Sequence, residues 1–208
     1  MRYKIHQYAV NLFSLTAFLM LCACTGGTSE AKAQEQDSLD ARWLESCLEE
    51  LERQRADTLN TENQVKYIRE TISSYYKSFF DEVYSGIAGV RARDRNRGTL
   101  HILHMSSQHS TILQFIYVSS SGCTYSEYVR VRDEERSSRQ KQCELQKLDE
   151  LIEVINIAPS NQRMRGVEYA TFSTVGGDTI QSRVFLAIDR KLREAIWKWI
   201  DFDFIGGR

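Results

Sequence analysis

Four arginines, Arg91, Arg93, Arg95 and Arg97, occupy alternate positions, separated only by Ala92, Asp94 and Asn96. In an extended segment every second side chain falls on the same side, so this spacing predicts four guanidinium groups on one face. Such a face would hold phosphates or carboxylates through paired hydrogen bonds. The plainer use of the run is a solvated connection, partly neutralised by Asp94 and nearby acids. Arg130 and Arg132 repeat the spacing further along and would extend the same patch.

Three histidines, His101, His104 and His109, raise metal chemistry. On a strand, residues three apart face opposite sides, so His101 and His104 would not converge on one ion. The chain has no H-E-x-x-H and no paired C-x-x-C. No metal site and no cofactor are expected. Cys123 follows Ser119-Ser120-Ser121-Gly122, and with His104 or His109 it would form a thiolate–imidazole nucleophile pair. A strand-end cysteine beside a Ser-Gly turn is the simpler reading.

Asp201 and Asp203 alternate with Phe202 and Phe204, offering two carboxylates for glycoside chemistry. A glycosidase pair is defined by its separation across a cleft, which sequence neighbours seldom provide. Tyr75, Tyr76, Tyr117, Tyr125, Tyr128 and Tyr169 would stack on sugars, but tyrosine is also an ordinary sheet-face residue. The G-x-S-x-G elbow and both common glycine-rich phosphate loops are missing.

The elements that must position these residues alternate between two periods. From Asp37, Leu44, Leu48 and Leu51 form a helical stripe with Trp43 and Cys47 on its flank. Thr61 and Gln64 have capping-box spacing, and Val65, Ile68, Ile72, Tyr75, Phe79 and Val83 continue a second helix to a stop at Gly86. Thr99 to Met105, Ile112 to Val118 and Thr124 to Arg132 read as strands. Asp133 to Ile157 returns to helical spacing, with Leu145, Leu148, Ile152 and Ile155 on one face, and Pro159 closes it. Val167 to Val175 and Thr179 to Ile188 flank Gly176-Gly177-Asp178, a hairpin signal. Asp189 then caps a last helix bearing Leu192, Ile196, Trp199 and Ile200. The order ααβββαββα predicts an α+β fold, an antiparallel sheet of about five strands with helices packed on one face.

Composition narrows the functions. The chain carries 27 Lys+Arg against 28 Asp+Glu. That balance argues against a dedicated nucleic-acid binder, which needs a basic excess. Of the five cysteines, Cys22 and Cys24 belong to the leader treated below; the other three, Cys47, Cys123 and Cys143, are an odd set, so at most one disulfide forms among them and one thiol stays free. With so few cysteines, no structural disulfide is expected.

The start of the chain is the most specific segment. Met1 to His6 carries Arg2 and Lys4 with no acid, and a run of about 14 mostly apolar residues leads to Leu21-Cys22-Ala23-Cys24. That run is shorter than the ~20 residues a spanning helix needs. The L-x-A-C arrangement resembles the lipobox of bacterial lipoproteins; the resemblance covers residues 1 to 24 only. It implies cleavage before Cys24 and attachment of a diacylglyceryl group to its sulfur, with two or more chains giving stable anchoring. An ordinary secretory peptide is the competing reading. The implied organisation is a signal peptide over 1–23, the lipidated Cys24 with a polar tether over 24–36, and one α+β domain over 37–208. The mature chain would keep 185 residues, 25 basic and 28 acidic, a net charge of −3. One core of that size needs no metal or disulfide support.

The expectation is therefore a lipid-anchored protein of the bacterial cell envelope that binds a partner protein or an anionic glycan or lipid, without nucleic acid and without catalysis. Thr25-Gly26 after Cys24 lacks an aspartate that would favour inner-membrane retention, so the outer membrane is preferred. The alternative is an envelope hydrolase using Cys123 with His104 or His109, or a carboxylate pair.

Overall fold

The structure, a computed structural model, describes residues 39–54, 62–132, 134–160 and 168–200, apart from the side chains at 63–65 and 75–78. Cys24, the tether, Thr61, Asp201 and Asp203 lie outside the described residues. The chain divides into Met1–Ala41 and Arg42–Arg208, and the architecture below is that of the second unit.

Four helices occur among the described residues: α1 (39–54), α2 (Glu62–Arg93), α3 (Leu145–Ile157) and α4 (Arg190–Ile200). None is long and apolar enough to cross a membrane. The strands are β1 (Thr99–Ser106), β2 (Ser110–Ser119), β3 (Gly122–Val131), β4 (Glu134–Cys143), β5 (Tyr169–Gly176) and β6 (Thr179–Phe185). They form one antiparallel sheet in the order β4-β3-β2-β1-β5-β6. The α+β class is as expected, with six strands in place of about five.

The sheet is covered on both faces, not on one. Phe80 and Tyr84 of α2 meet Phe115 of β2 edge-on, and Phe79 stacks on Tyr128 of β3. On the same face Trp43 of α1 donates its indole N–H to Ser173 Oγ at 3.0 Å. The opposite face holds Leu103, Met105, Ile112, Ile116, Val129 and Phe172 against α3 and α4. Because both faces are covered, β1 has no exposed side: from Leu100 to Ser106 every residue is buried, His101, His104 and Ser106 included.

Local chemistry explains several boundaries. Asp189 Oδ1 accepts from the Leu192 amide at 2.8 Å, so the expected cap of α4 is in place, and all four of its expected apolar residues are buried. Gly177, at φ 58°, turns β5 into β6 as its sequence signal required. The centre of the buried face of α1 is Trp43, Cys47, Leu51 and Gln54, while Leu44 and Leu48 form its flank. In α3, Leu151 is buried with Leu148 and Ile155, and Leu145 is exposed.

The expected helix from Asp133 is corrected: Glu134 to Cys143 is an edge strand paired along β3. Its side chains are polar on both faces, so no apolar period announces it. Charge along an edge strand discourages pairing with another chain. A bulge opposite Ser126, with Gln140 at φ 55°, bends the strand further. The other edge, β6, is closed by α1: Ser46 Oγ donates to Ile180 O at 3.2 Å and Gln54 Nε2 donates to Val184 O at 2.7 Å.

The expectation of no disulfide is also corrected. Cys123 and Cys143 are register partners on β3 and β4, with Cα atoms 5.1 Å apart, and are bonded to one another. Reading residue 143 as helical removed it from the neighbourhood of Cys123. Among the described residues Cys47 is the free thiol.

Candidate functional site

The arginine run does not form the expected extended face. Helix α2 continues past Gly86 and ends at Arg93, so Arg91 and Arg93 belong to its last turn. Basic side chains there complement the partial negative charge of the helix C-terminus. Arg95 and Asn96 then adopt left-handed backbone at φ 52° and 56°. The turn is tied down by Tyr117 of β2, whose hydroxyl accepts from Gly98 N at 2.9 Å and donates to Asp94 Oδ2 at 3.2 Å. Burial, reinforced by the Asp94 carboxylate, holds the Tyr117 phenol above its ordinary range. A Cβ at Gly98 would stand 2.7 Å from Tyr117 Cζ, so only glycine lets the chain pass. Arg91 Nη1 donates to Tyr84 Oη at 3.1 Å. The local hydrogen bonds of a helix end prevail over the alternating pattern.

The histidines divide as strand alternation predicted. His101 faces α3 and α4, stacks on Phe172 and shares a 3.0 Å hydrogen bond between Nδ1 and Thr174 Oγ1. His104 faces α1 and is edge-on to both Trp43 and Tyr169. Burial lowers both imidazoles to about 4, so each is neutral near pH 7. Among the described residues no group of three or more His, Cys, Asp or Glu side chains is placed to hold a metal ion.

The thiol–imidazole pair is overturned. The sulfur of Cys123 is bonded to Cys143 and cannot act as a thiolate in this state. Cys47 is fully buried beside Ser173 and Ser182, and burial pushes its thiol up to about 11. It is a packing residue, not a nucleophile.

A buried polar chain crosses the α4 face. Trp199 Nε1 donates to Gln114 Oε1 at 2.6 Å, and Gln114 Nε2 donates to Glu127 Oε2 at 2.6 Å. Glu127 Oε1 accepts from Ser138 Oγ at 3.2 Å and lies 3.3 Å from Arg136 Nε. Arg136 reaches on to the carbonyl of Ile200. Every acceptor of the buried carboxylate is used inside the protein, which suits a fastening for α4. A groove between α3 and α4, floored by Leu151, Val154, Ala195 and Trp199, is bordered by the 2.6 Å ion pair of Lys198 with Glu150. The lysine holds the exposed Glu150 carboxyl below its usual range.

The open basic feature lies elsewhere. At the turn between β1 and β2, Ser107 Oγ accepts from the amides of His109 at 3.3 Å and Ser110 at 3.0 Å. Arg132, left-handed at φ 55°, donates its amide to His109 O at 2.6 Å and joins this turn to the end of β3. Gln108, His109, Arg130 and Arg132 line the resulting depression, which has a volume of about 490 Å³ and opens to solvent. Ser110 pairs with Val131 at this end of β2, whereas Thr99, just after the arginine run, pairs with Val118 at the other. Eight residue steps of strand, Ser110 to Val118, put the two ends about 27 Å apart. Arg130 and Arg132 therefore do not extend the Arg91–Arg97 patch; they form a separate one. Gln108 was not singled out in the sequence, though it falls in the polar stretch between the expected strands Thr99 to Met105 and Ile112 to Val118.

The chain matches no family model, no curated protein and no solved structure. Its function is argued from its own residues.

Proposed function

We propose that this chain is a lipid-anchored binding protein of the bacterial cell envelope, held by acyl chains on Cys24 and engaging a partner protein or an anionic envelope component. The observation that carries the reading is the basic, apolar leader ending in Leu21-Cys22-Ala23-Cys24. The Cys123–Cys143 disulfide supports it independently, because such bonds persist in oxidising compartments outside the cytosol. Outer-membrane placement rests on the Thr25-Gly26 pair after Cys24. The Arg91, Arg93, Arg95 and Arg97 segment remains a candidate contact, now as a helix end and its turn rather than a flat extended face.

Mass spectrometry of the protein purified from its native host, with crosslinking of the intact lipoprotein in its envelope, tests the proposal. A mature N-terminus at Cys24 carrying diacylglyceryl mass, and recovery of an envelope partner, are the expected results. An unmodified Cys24 would end the anchoring reading. Reversal of Arg93 and Arg95 to glutamate should weaken partner capture more at low than at high salt, since exposed charges are screened; unchanged capture would remove that segment from the interface.

A further inference from the structure

We infer that the depression between the β1–β2 turn and the end of β3 is a binding site for the phosphate group of a phosphate monoester, with Arg130 and Arg132 as its anion clamp. The inference rests on the reading of the chain as a binding protein for anionic envelope components, and it moves the anion site from the sequence-singled run to the opposite end of the sheet.

Several observations converge. Among the described residues the lining side chains, those of Gln108, His109, Arg130 and Arg132, can all donate hydrogen bonds, and none is a carboxylate. Arg130 and Arg132, two apart at the end of β3, supply planar donor forks that match a tetrahedral oxyanion through paired bonds. Several other guanidinium groups of the protein are tied to carboxylates: Arg53 to Glu50, Arg136 to Glu127, Arg190 to Glu194 and Arg193 to Glu168. Among the described residues neither Arg130 nor Arg132 makes such a pair. Glu135 is the register partner of Arg130 across β3 and β4, yet no ion pair joins them.

The site is also built in advance. The bond from Arg132 N to His109 O fastens one turn to the other, and the two bonds accepted by Ser107 Oγ hold the tip that carries Gln108 and His109. Little loop ordering then opposes binding. The depression opens widely to solvent, which admits one end of a larger molecule. A phosphate monoester carries up to two negative charges, which suits two guanidinium groups better than a single carboxylate does.

Isothermal titration of the full lipoprotein in neutral detergent, with inorganic phosphate and with glycerol 3-phosphate as probes, tests the site. Glycerol 3-phosphate should bind and should weaken about tenfold or more in either R130A or R132A. E135Q, which removes the nearby negative charge, should bind more tightly. Equal binding of inorganic phosphate would identify the free anion as the ligand and overturn the ester assignment; preference for glycerol 3-phosphate supports the ester. No binding of either probe, or binding unchanged in R130A/R132A, overturns the site. R93E/R95E serves as the separating control. Loss of partner capture in that variant alone would leave the envelope-binding reading standing while this site fails.

Discussion

Gly86 of α2 lies so close to Ser126 of β3 that a Cβ at position 86 would stand 2.9 Å from the serine Cβ and press on its hydroxyl. It would also meet Arg139 Cα of β4 at 3.2 Å. The helix crosses the sheet at the bulge, where Ser126 Oγ donates to Ser138 O at 3.3 Å. Glycine here is an instrument of close packing, not the helix stop its sequence position suggested.

A glycine-to-alanine change inside a helix normally gains about 1 kcal/mol of propensity. At Gly86 the sign should reverse. G86A should lose about 1–3 kcal/mol, the usual cost of overpacking, in urea or guanidinium unfolding. Removing the obstructing side chain in G86A/S126G should recover part of that loss relative to the sum of the single changes. A G86A protein as stable as the parent would refute the close approach.

The Cys123–Cys143 bond closes a loop of sequence separation 20 around the β3–β4 turn. Chain-entropy reasoning sets its contribution at about 3 kcal/mol. The double variant C123A/C143A should therefore unfold at lower denaturant by up to that amount. Thiol labelling offers a sharper check. Partial reduction should open Cys143, on the edge strand, to iodoacetamide ahead of the buried Cys123, while Cys47, buried with its thiol pushed up to about 11, stays unlabelled until the protein unfolds. Labelling of Cys47 in the native protein would contradict the packing of α1 on Ser173 and Ser182.

Which of these features the sequence announced follows from what periodicity can report. Strands with a buried face, the β5–β6 turn and the apolar stripe of α4 were legible because burial leaves a repeat. The opposite facing of His101 and His104 was legible for the same reason. Strand β4 was not, since Glu134 to Cys143 has no apolar repeat and is held by its backbone pairing with β3 and by one disulfide. Missing β4 also hid the sulfur pairing. The arginine run misled because alternation of like residues says nothing about whether the backbone is extended. The cradle at Arg130 and Arg132 required knowing that His109 of a distant turn is bonded to the Arg132 amide.

His101 and His104 make the acid stability of the fold predictable. In the folded protein burial lowers both to about 4; in the unfolded chain an imidazole titrates near 6.5. Between those values the unfolded state binds more protons than the folded one, so unfolding free energy falls as pH falls. The loss begins near pH 6.5 and is complete only below pH 4. At full extent it is on the order of 3 kcal/mol for each histidine. Unfolding free energies measured from pH 6.5 to 5, above the main carboxylate range, isolate the effect. Wild-type protein should lose stability there with a slope approaching two protons at the acid end. H104L, filling the space beside Trp43 and Tyr169 with an uncharged group, should lose about one proton of slope, and so should H101Q, which can keep a hydrogen bond to Thr174. A flat wild-type profile across this window would mean that neither imidazole is held neutral by burial, and the packing of β1 between the two helical layers would have to be redrawn.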